Sequence, residues 1–431
     1  MKIAILTNNE FTDAFWTDPR VYKQAQALMA AGHEVVVLGT GKYGQVPLRQ
    51  EEKDGIRILR RPTLMHLLYS VIRPPSAAAR DGKRQRNEYY QRDSASLANK
   101  VVQHVMQFAH DLNTLLFVFA VLPAAVREKA DVYVGRGLEG LAPAYLAACL
   151  TKAKLVYDSL ELWADRVRAV PYGPWHQAIV KWLEKVMCRR CDLVIVVTQS
   201  IAEILADWYG IPEPLVIPNA YHSYVQVTAS DDVRELLGGG PDRKVVIYVG
   251  FLDRGKGLEY LIDAAQYLDA NIVIAIVGDG VLRSALEARI EDRQVTDRVR
   301  LIGWVKSTDL PTYIASADLG VTAMQGDTLN YYYNIDYKPF HYIVSGIPLA
   351  VSNQPEKKRL VEQNRIGAAF DEKDPHDIAR VINELLADPE RYSAMRARVQ
   401  KLGREELNWE VVSRVYVEAI ERIADKNRRR E

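Results

Sequence analysis

The 431-residue chain has little cysteine and no excess of charge of either sign. Its three cysteines, Cys149, Cys188 and Cys191, exclude a disulfide scaffold and are too few for a zinc site of four thiolates. Lys and Arg total 56 against 55 Asp and Glu, which gives a net charge of +1. A nearly neutral chain argues against nucleic acid as a partner, because duplex binding depends on an excess of cations.

Long hydrophobic runs are also missing. The longest apolar run, Leu115 to Val126, contains Pro123 and falls short of the roughly 20 residues that a membrane-spanning helix needs. The chain opens on a short apolar run, Ile3 to Leu6, followed by polar residues, which predicts a buried strand and no signal peptide. We therefore expect a cytoplasmic protein.

The chain repeats a short β-branched strand followed by an amphipathic helix. Near-continuous runs of Val, Ile and Leu are typical of parallel strands buried on both faces, so the repeat predicts doubly wound α/β sheets. The strands predicted in the first half are Lys2 to Leu6, Glu34 to Leu38, Ile56 to Arg60, Val132 to Val134, Lys154 to Tyr157, Leu193 to Val197 and Pro214 to Ile217. Those predicted in the second half are Val245 to Val249, Ile272 to Val277, Val299 to Ile302, Leu319 to Thr322, Leu349 to Val351 and Gly367 to Phe370.

The chain is too long for one hydrophobic core, so two domains are expected. A loose stretch that ends in a Gly-Pro run predicts a linker over 219–242. It separates an N-terminal Rossmann-like domain, 1–218, from a C-terminal one, 243–408, and a last helix, 409–431, is a candidate for packing back on the first domain. The predicted fold is α/β, with two Rossmann-like doubly wound domains facing a central cleft.

Residues from about 65 to 130 interrupt the first domain. They contain Pro74 and Pro75, a segment rich in Arg and Lys from Arg80 to Arg86, and one or two predicted helices. We interpret the segment as a solvated insertion. The alternative is a basic surface that touches anionic lipid or a charged substrate, which would place the protein at the inner face of a membrane.

The loops that follow the strands of the second domain suggest where a ligand binds, because ligands of doubly wound sheets lie beyond the carboxyl ends of the strands. The loop Phe251 to Gly257 combines glycines with Arg254 and Lys256 ahead of a predicted helix. Glycines let a phosphate approach the backbone, and two cations can neutralise a diphosphate. Gly278 and Gly280 form a second such loop, so together the loops indicate a nucleoside diphosphate.

Aromatic residues follow later strands of the same domain. The indole of Trp304 either lies against a nucleobase or sugar or is part of the core. The segment from Asn330 to Tyr342 is rich in tyrosine, and it either recognises a polyol or is a helix whose aromatic face is buried.

In their order and spacing, these residues resemble the GT4-type retaining glycosyltransferases of the GT-B fold over nearly the whole chain. Each piece is loose alone, but the combination is specific to the fold. The matching pieces are the opening strand, Asp18-Pro19-Arg20, Ala31–Val35, Val156–Glu161, Val197–Ser200, Ile217–Asn219, Gly250 with Lys256-Gly257, Val277–Gly280, Gly303–Val305, Ala317-Asp318, Lys338–Tyr342 and Ser345–Pro348.

The resemblance implies a glycosyltransferase of polysaccharide biosynthesis. It would transfer a hexose from a UDP- or GDP-sugar to a glycan, lipid-linked or small polar acceptor, with retention of configuration and with no required metal or cofactor. Lys256 falls on the family's diphosphate lysine, and Arg254 is its candidate companion in catalysis. The implied donor-binding residues are Gly250, Gly257, Gly278, Gly280, Trp304, Tyr333, Lys338 and His341, and the implied acceptor-binding residues are Asp18, Arg20, Arg136, Asp158 and Glu161.

The sequence departs from the family pattern at several of these positions. Phe251 stands where members usually have an arginine, His341 where a glutamate binds the donor ribose, and Leu160 where a histidine is common. Arg136 replaces a neutral or acidic group, which favours an acceptor that carries phosphate or carboxylate. Two alternatives therefore stay open: a catalytically silent scaffold on the same fold, and an enzyme like the sugar-nucleotide epimerases.

Overall fold

The computed structural model describes residues 1–8, 19–40, 50–63, 97–165, 174–222 and 227–428. Asp18 and the basic part of the predicted insertion, residues 64–96, lie outside these ranges. Contacts divide the chain into unit 1, Met1–Ile217 with Ser413–Glu431, and unit 2, Pro218–Val412.

Unit 1 is built on a sheet of eight strands in the order β3-β4-β2-β1-β5-β6-β7-β8. All neighbouring strands are parallel except β3, which runs antiparallel to β4 at the edge. The strands are β1 Lys2–Leu6, β2 Glu34–Gly39, β3 Gln50–Lys53, β4 Ile56–Arg60, β5 Val132–Arg136, β6 Lys154–Asp158, β7 Leu193–Val196 and β8 Leu215–Val216. The helices are α1 Pro19–Ala30, α2 Leu97–Glu128, α3 Gly137–Thr151, α4 Pro174–Cys188 and α5 Gln199–Tyr209, with a 3₁₀ turn at Trp163–Asp165.

Unit 2 is built on a sheet of six parallel strands in the order β11-β10-β9-β12-β13-β14. The strands are β9 Lys244–Val249, β10 Ile272–Val277, β11 Val299–Gly303, β12 Leu319–Thr322, β13 Leu349–Ser352 and β14 Gly367–Phe370. The helices are α6 Asp231–Leu236, α7 Leu258–Ala264, α8 Arg283–Asp292, α9 Leu310–Ala315, α10 Leu329–Tyr333, α11 Tyr337–Val344, α12 Pro355–Asn364, α13 Pro375–Ala387 and α14 Pro389–Glu405, with a 3₁₀ turn at Ala265–Tyr267. The last helix, α15 Trp409–Arg428, begins in unit 2 and belongs to unit 1 from Ser413 onward.

The two parallel sheets confirm the predicted α/β class. Every strand predicted from an apolar run is present, with ends that differ by at most two residues. The sequence does not predict β3, because its residues, Gln-Glu-Glu-Lys, contain no apolar side chain. An edge strand can consist of polar residues, because it pairs with one neighbouring strand and its other side faces solvent. Over the described ranges, no helix has both the length and the apolar character needed to cross a bilayer.

A buried polar network lies in the core of unit 1. The carboxylate of Glu184, on α4, accepts hydrogen bonds from the hydroxyls of Tyr157 at 2.6 Å and Tyr209 at 2.7 Å. The Tyr157 hydroxyl in turn accepts from Ser159 Oγ at 3.0 Å. Burial raises the pKa of Glu184 to about 7, although the two tyrosine hydrogen bonds oppose this shift.

Candidate functional site

The loops after β9 and β10 are packed backbone to backbone. Gly250 N donates to Val277 O at 2.9 Å. A Cβ on Gly278 would collide with the carbonyl oxygen of Gly250, and one on Gly280 would collide with that of Leu252. The close approach of the two loops therefore requires glycine at these positions, whatever ligand they bind. The result is a rigid edge at the carboxyl ends of the strands.

Lys256 lies on this edge, half-buried in the loop that leads to α7. Its ammonium nitrogen is 3.7 Å from Met324 Sδ and 4.9 Å from the centre of the Tyr331 ring. The next residue, Gly257, has a φ of 68° and packs against the carbonyl of Ala323. This fixed backbone holds the lysine beside the loop that follows β12. Arg254 is exposed on the same loop.

Lys338 is the second cation of the edge. It lies in the first turn of α11, and its Nζ is 2.7 Å from the carboxylate of Asp336, the residue that caps this helix. The Nζ also lies 5.2 Å from the centre of the Tyr248 ring. A Cβ on Gly250 would meet Lys338 Cε at 2.9 Å. The absence of a side chain at Gly250 thus makes room for the lysine at the end of β9.

Lys357 is the third cation, and the sequence did not predict it. It lies in the first turn of α12, after β13, and is fully buried. Its Nζ donates to Gln354 Oε1, while Gln354 Nε2 donates to Glu372 at 3.3 Å. Burial and the charges of Lys338 and Lys256 lower the pKa of Lys357 to about 8, against the attraction of Asp336 and Glu372.

Three lysines act on the carboxylate of Asp336 through their charges, and we call them the lysine cluster: Lys256, Lys338 and Lys357. Burial disfavours ionisation of this carboxyl, but the charges of the three lysines and the hydrogen bond from Lys338 hold its pKa at about 2. Its negative charge is therefore present at all physiological pH values. Asp336 and Glu372 supply two negative charges against three lysines, so the cluster can bind a further anion.

Two large aromatic side chains are exposed along the same edge. Trp304, after β11, is 71% exposed and Phe251, after β9, is 65% exposed. The exposure of Trp304 rules out the alternative that its indole is part of the core. Exposed planar rings beside a cationic cluster can stack on a base or a sugar ring. Tyr333, on α10, makes an edge contact with Tyr332 at 4.9 Å between ring centres.

His341 occupies the next turn of α11 after Lys338. Its ring lies 4.0 Å from that of Tyr221, centre to centre, and it is half-buried. The following residue, Tyr342, is fully buried and donates from its hydroxyl to Val321 O at 3.0 Å. Some rings of the tyrosine-rich segment thus belong to the core and others lie at the edge, and recognition of a polyol by this segment stays a prediction.

At the carboxyl ends of the strands of unit 1, Asp158 and Arg20 form a buried ion pair. Asp158, at the end of β6, accepts from Arg20 Nε and NH2, both at 3.0 Å, and from Gln24 Nε2 at 2.9 Å. Asp158 and Arg20 are 0% and 1% exposed. Burial disfavours the charge on Asp158, but Arg20 and Arg136 lower its pKa below the ordinary value. Arg20 and Asp158 thus form a buried ion pair within unit 1, and their predicted contact with an acceptor stays a prediction.

Arg136 and Glu161 are the remaining candidates for acceptor binding within the described residues. Arg136 is the last residue of β5, opposite Asp158 in the sheet, and is half-exposed. Glu161 is half-exposed, and its carbonyl oxygen lies 3.0 Å from Ser159 Oγ, whose single proton is shared between this oxygen and the Tyr157 hydroxyl. A Cβ on Gly137 would collide with the ring of Trp163, so this glycine lets the strand end lie against the aromatic residue.

Within the described ranges, no group of three or more His, Cys, Asp and Glu side chains is arranged to hold a metal ion. Cys188 is buried, and burial raises the pKa of its thiol and of the Cys191 thiol. Neutral thiols of this kind are unreactive, so the structure does not support a redox role for Cys188 and Cys191.

The sequence missed Lys357 and the role of Asp336 for identifiable reasons. Asp336 precedes a predicted helix, which is the signature of a helix cap, and a cap alone does not indicate a ligand site. Lys357 lies two residues after a proline that begins α12, and an isolated lysine in such a place is normally solvated. The position of Lys357 directly after β13 could have indicated a role in the site, because the loop after β13 lies at the same sheet edge as the glycine loops.

Two sequence families match the chain along its length. The family described as glycosyl transferases group 1 matches residues 231–402, and the glycosyl transferase 4-like domain matches residues 17–220. The chain is 28% identical over 223 residues to alpha-D-kanosaminyltransferase of Streptomyces kanamyceticus, covering 49% of this chain and 55% of that protein. It is 25% identical over 240 residues to mannosylfructose-phosphate synthase of Agrobacterium fabrum, covering 51% and 50%. The chain thus spans about half the length of these curated relatives.

Solved structures match over almost the whole chain. Sucrose-phosphate synthase of Thermosynechococcus elongatus aligns with a TM-score of 0.73 and 17% identity over 98% of each chain. Anabaena HepE in complex with UDP aligns with a TM-score of 0.67 and 16% identity, over 98% of this chain and 100% of that chain. At these identities the likeness shows the fold, which is GT-B. With the two family matches it establishes that the chain belongs to the GT4-type glycosyltransferases of the GT-B fold.

Proposed function

We propose that the protein transfers a hexose from a UDP- or GDP-sugar to an acceptor hydroxyl, with retention of configuration and with no required metal or cofactor. The lysine cluster is the observation that carries the proposal, because its three cations exceed the two carboxylates beside them and favour an anionic diphosphate. The complex of HepE with UDP supports a uridine donor, and relatives named for dependence on GDP-mannose support a guanosine one.

In the proposed reaction, the bond between the sugar C1 and the diphosphate oxygen breaks, and a bond from C1 to the acceptor oxygen forms. The hydroxyl proton passes to a phosphate oxygen, and the nucleoside diphosphate leaves. Lys256 and Lys338 would stabilise the charge that grows on the leaving diphosphate, which is electrostatic catalysis by groups already in place. Trp304 and Phe251 would contact the base or sugar.

The acceptor is proposed to be a glycan, a lipid-linked sugar or a small polar molecule that carries an anionic group. Half-exposed Arg136, at the end of β5, supports an anionic group because guanidinium binds phosphate and carboxylate in a bidentate fashion. Two similar proteins are named as synthases of sugar phosphates, which agrees with that charge.

Replacement of Lys256 tests the proposal. Lys256→Ala should lower the release of nucleoside diphosphate by about 10²–10³-fold in the presence of an acceptor, while the melting temperature stays unchanged. Lys358→Ala is the matched control, since it removes an exposed lysine from the same unit. Turnover that persists in Lys256→Ala would contradict the assignment. Diphosphate release without any acceptor would favour the epimerase-like alternative, and no nucleotide binding at all would favour the silent scaffold.

A further inference from the structure

Helix α4 of unit 1 has its apolar residues on the outside. Five of them are exposed and recur at helical spacing, which places them along one stripe of the helix. We call this stripe the apolar face: Trp175, Ile179, Trp182, Leu183 and Val186. The two tryptophans are 70% and 61% exposed, whereas Glu184, the carboxylate of the same helix, is 0% exposed. A helix at a surface that faces water normally buries its apolar residues and exposes its charged ones, so α4 shows the reverse pattern.

The helix α2 extends the apolar face. His176 on α4 is 3.1 Å from the carboxylate of Asp111 on α2, which connects the two helices at this point. On α2, Leu115 and Phe119 are 53% and 64% exposed. An exposed apolar surface built from more than one helix of a folded unit marks a binding surface.

The charged side chains at the surface of residues 175–191 are cationic, while Asp111 of α2 lies beside His176. Residues 175–191 contain the cations Lys181, Lys185, Arg189 and Arg190, and their only carboxylate is the buried Glu184. Lys181 and Lys185 lie on the flank toward α5, where Lys181 Nζ is 3.7 Å from the centre of the Trp208 ring. Lys185 and Arg189 also donate to the carbonyls of Trp208 and Tyr209, which fixes this row of cations along the flank of the face. The face thus combines tryptophan and aliphatic side chains with a row of cations.

We propose that the apolar face of α4 docks the protein on an anionic lipid surface. Tryptophan and leucine enter the boundary between headgroups and acyl chains, and lysine and arginine bind the anionic headgroups, as in helices that lie in a membrane interface. A second copy of this chain fits less well, because a twofold contact brings together the same surface of both copies, and the carboxylate of α4 itself, Glu184, is buried and cannot pair with the partner's cations. The proposal uses α4, a different element from the basic insertion considered from the sequence.

Co-sedimentation of the full-length protein with lipid vesicles tests the proposal. The protein should bind phosphatidylglycerol vesicles, bind phosphatidylcholine vesicles more weakly, and lose part of its binding when salt is raised. Ile179→Glu should weaken binding to phosphatidylglycerol by at least about tenfold, since it places a carboxylate in the face. Val415→Glu is the matched control, because Val415 is a β-branched residue of unit 1 with similar exposure, 47% against 49%. It should bind as the unchanged protein does.

Three results would overturn the proposal. The first is no binding to either vesicle, and the second is equal binding by the two variants. The third is a concentration-dependent dimer in sedimentation velocity that Ile179→Glu abolishes in the absence of vesicle binding, which would assign the face to self-association. Circular dichroism of each variant checks its fold. The test measures binding alone, so its failure would leave the proposed transfer reaction unaffected.

Discussion

Glu184 in unit 1 and Lys357 in unit 2 are both fully buried ionisable side chains, but their surroundings differ. Glu184 is enclosed by the hydroxyls of Tyr157 and Tyr209, which can donate to it in either protonation state of the carboxyl. Lys357 faces two more lysines of its cluster at the end of a sheet. A buried charge with neutral hydrogen-bonding partners is part of the structure, whereas a buried charge among like charges indicates a ligand of opposite sign.

Loss of the buried ion pair between Arg20 and Asp158 should have the largest effect on stability. Arg20→Ala leaves the Asp158 carboxylate buried without its main partner, which should cost about 3–5 kcal/mol in the free energy of unfolding. Lys154→Ala breaks a partly exposed pair with Asp192 in the same unit, and should cost about 1 kcal/mol or less. Urea denaturation measures both. Equal losses would mean that the buried pair has no special structural role.

Glu184→Gln should change stability in a way that depends on pH. The folded-state pKa of Glu184 is about 7 against an ordinary 4.5, so its contribution is complete below about pH 4.5 and is lost as pH rises through 7. The variant should match the unchanged protein near pH 4.5 and exceed its stability at pH 8 by on the order of 3 kcal/mol. Thermal and urea unfolding across this range provide the measurement. Glu203→Gln, at an exposed position, should show no such trend.

Lys357→Met should show the opposite dependence on pH. The folded-state pKa of Lys357 is about 8 against an ordinary 10.5, so its contribution is complete above about pH 10.5 and is lost as pH falls through 8. Without ligand, the variant should be more stable than the unchanged protein at pH 7, by on the order of 2 kcal/mol, because part of the gain is offset by a lost hydrogen bond to Gln354. A variant that is less stable at pH 7 would show that the lysine supports the fold.

The sequence allowed the sheet strands to be predicted because they are buried on both faces and therefore almost entirely apolar. Elements without that signal were missed: β3 is polar, and α6 lies in the stretch taken as a linker, although Ser230 caps it and Asp231 and Asp232 begin it. A short polar helix has no apolar period by which to recognise it.

The candidate site was predicted in part. Lys256 and Lys338 lie in motifs, and both belong to the lysine cluster. Lys357 lies in no such motif, and its place in the cluster depends on the tertiary packing that buries the start of α12. The burial of Arg20 and Asp158 was also out of reach, since a sequence does not distinguish a pair of opposite charges that bind each other from two charges that bind a ligand.

The most direct test of the lysine cluster is titration calorimetry of UDP and GDP at pH 8, in two buffers that differ in ionisation enthalpy. We expect one nucleotide to bind with uptake of a fraction of a proton, because its phosphates raise the pKa of Lys357 from about 8. Lys357→Met should bind about tenfold more weakly with no proton uptake, and Lys358→Met should bind as the unchanged protein does. Binding without proton uptake that Lys357→Met leaves unchanged, or no binding of either nucleotide, would contradict the account.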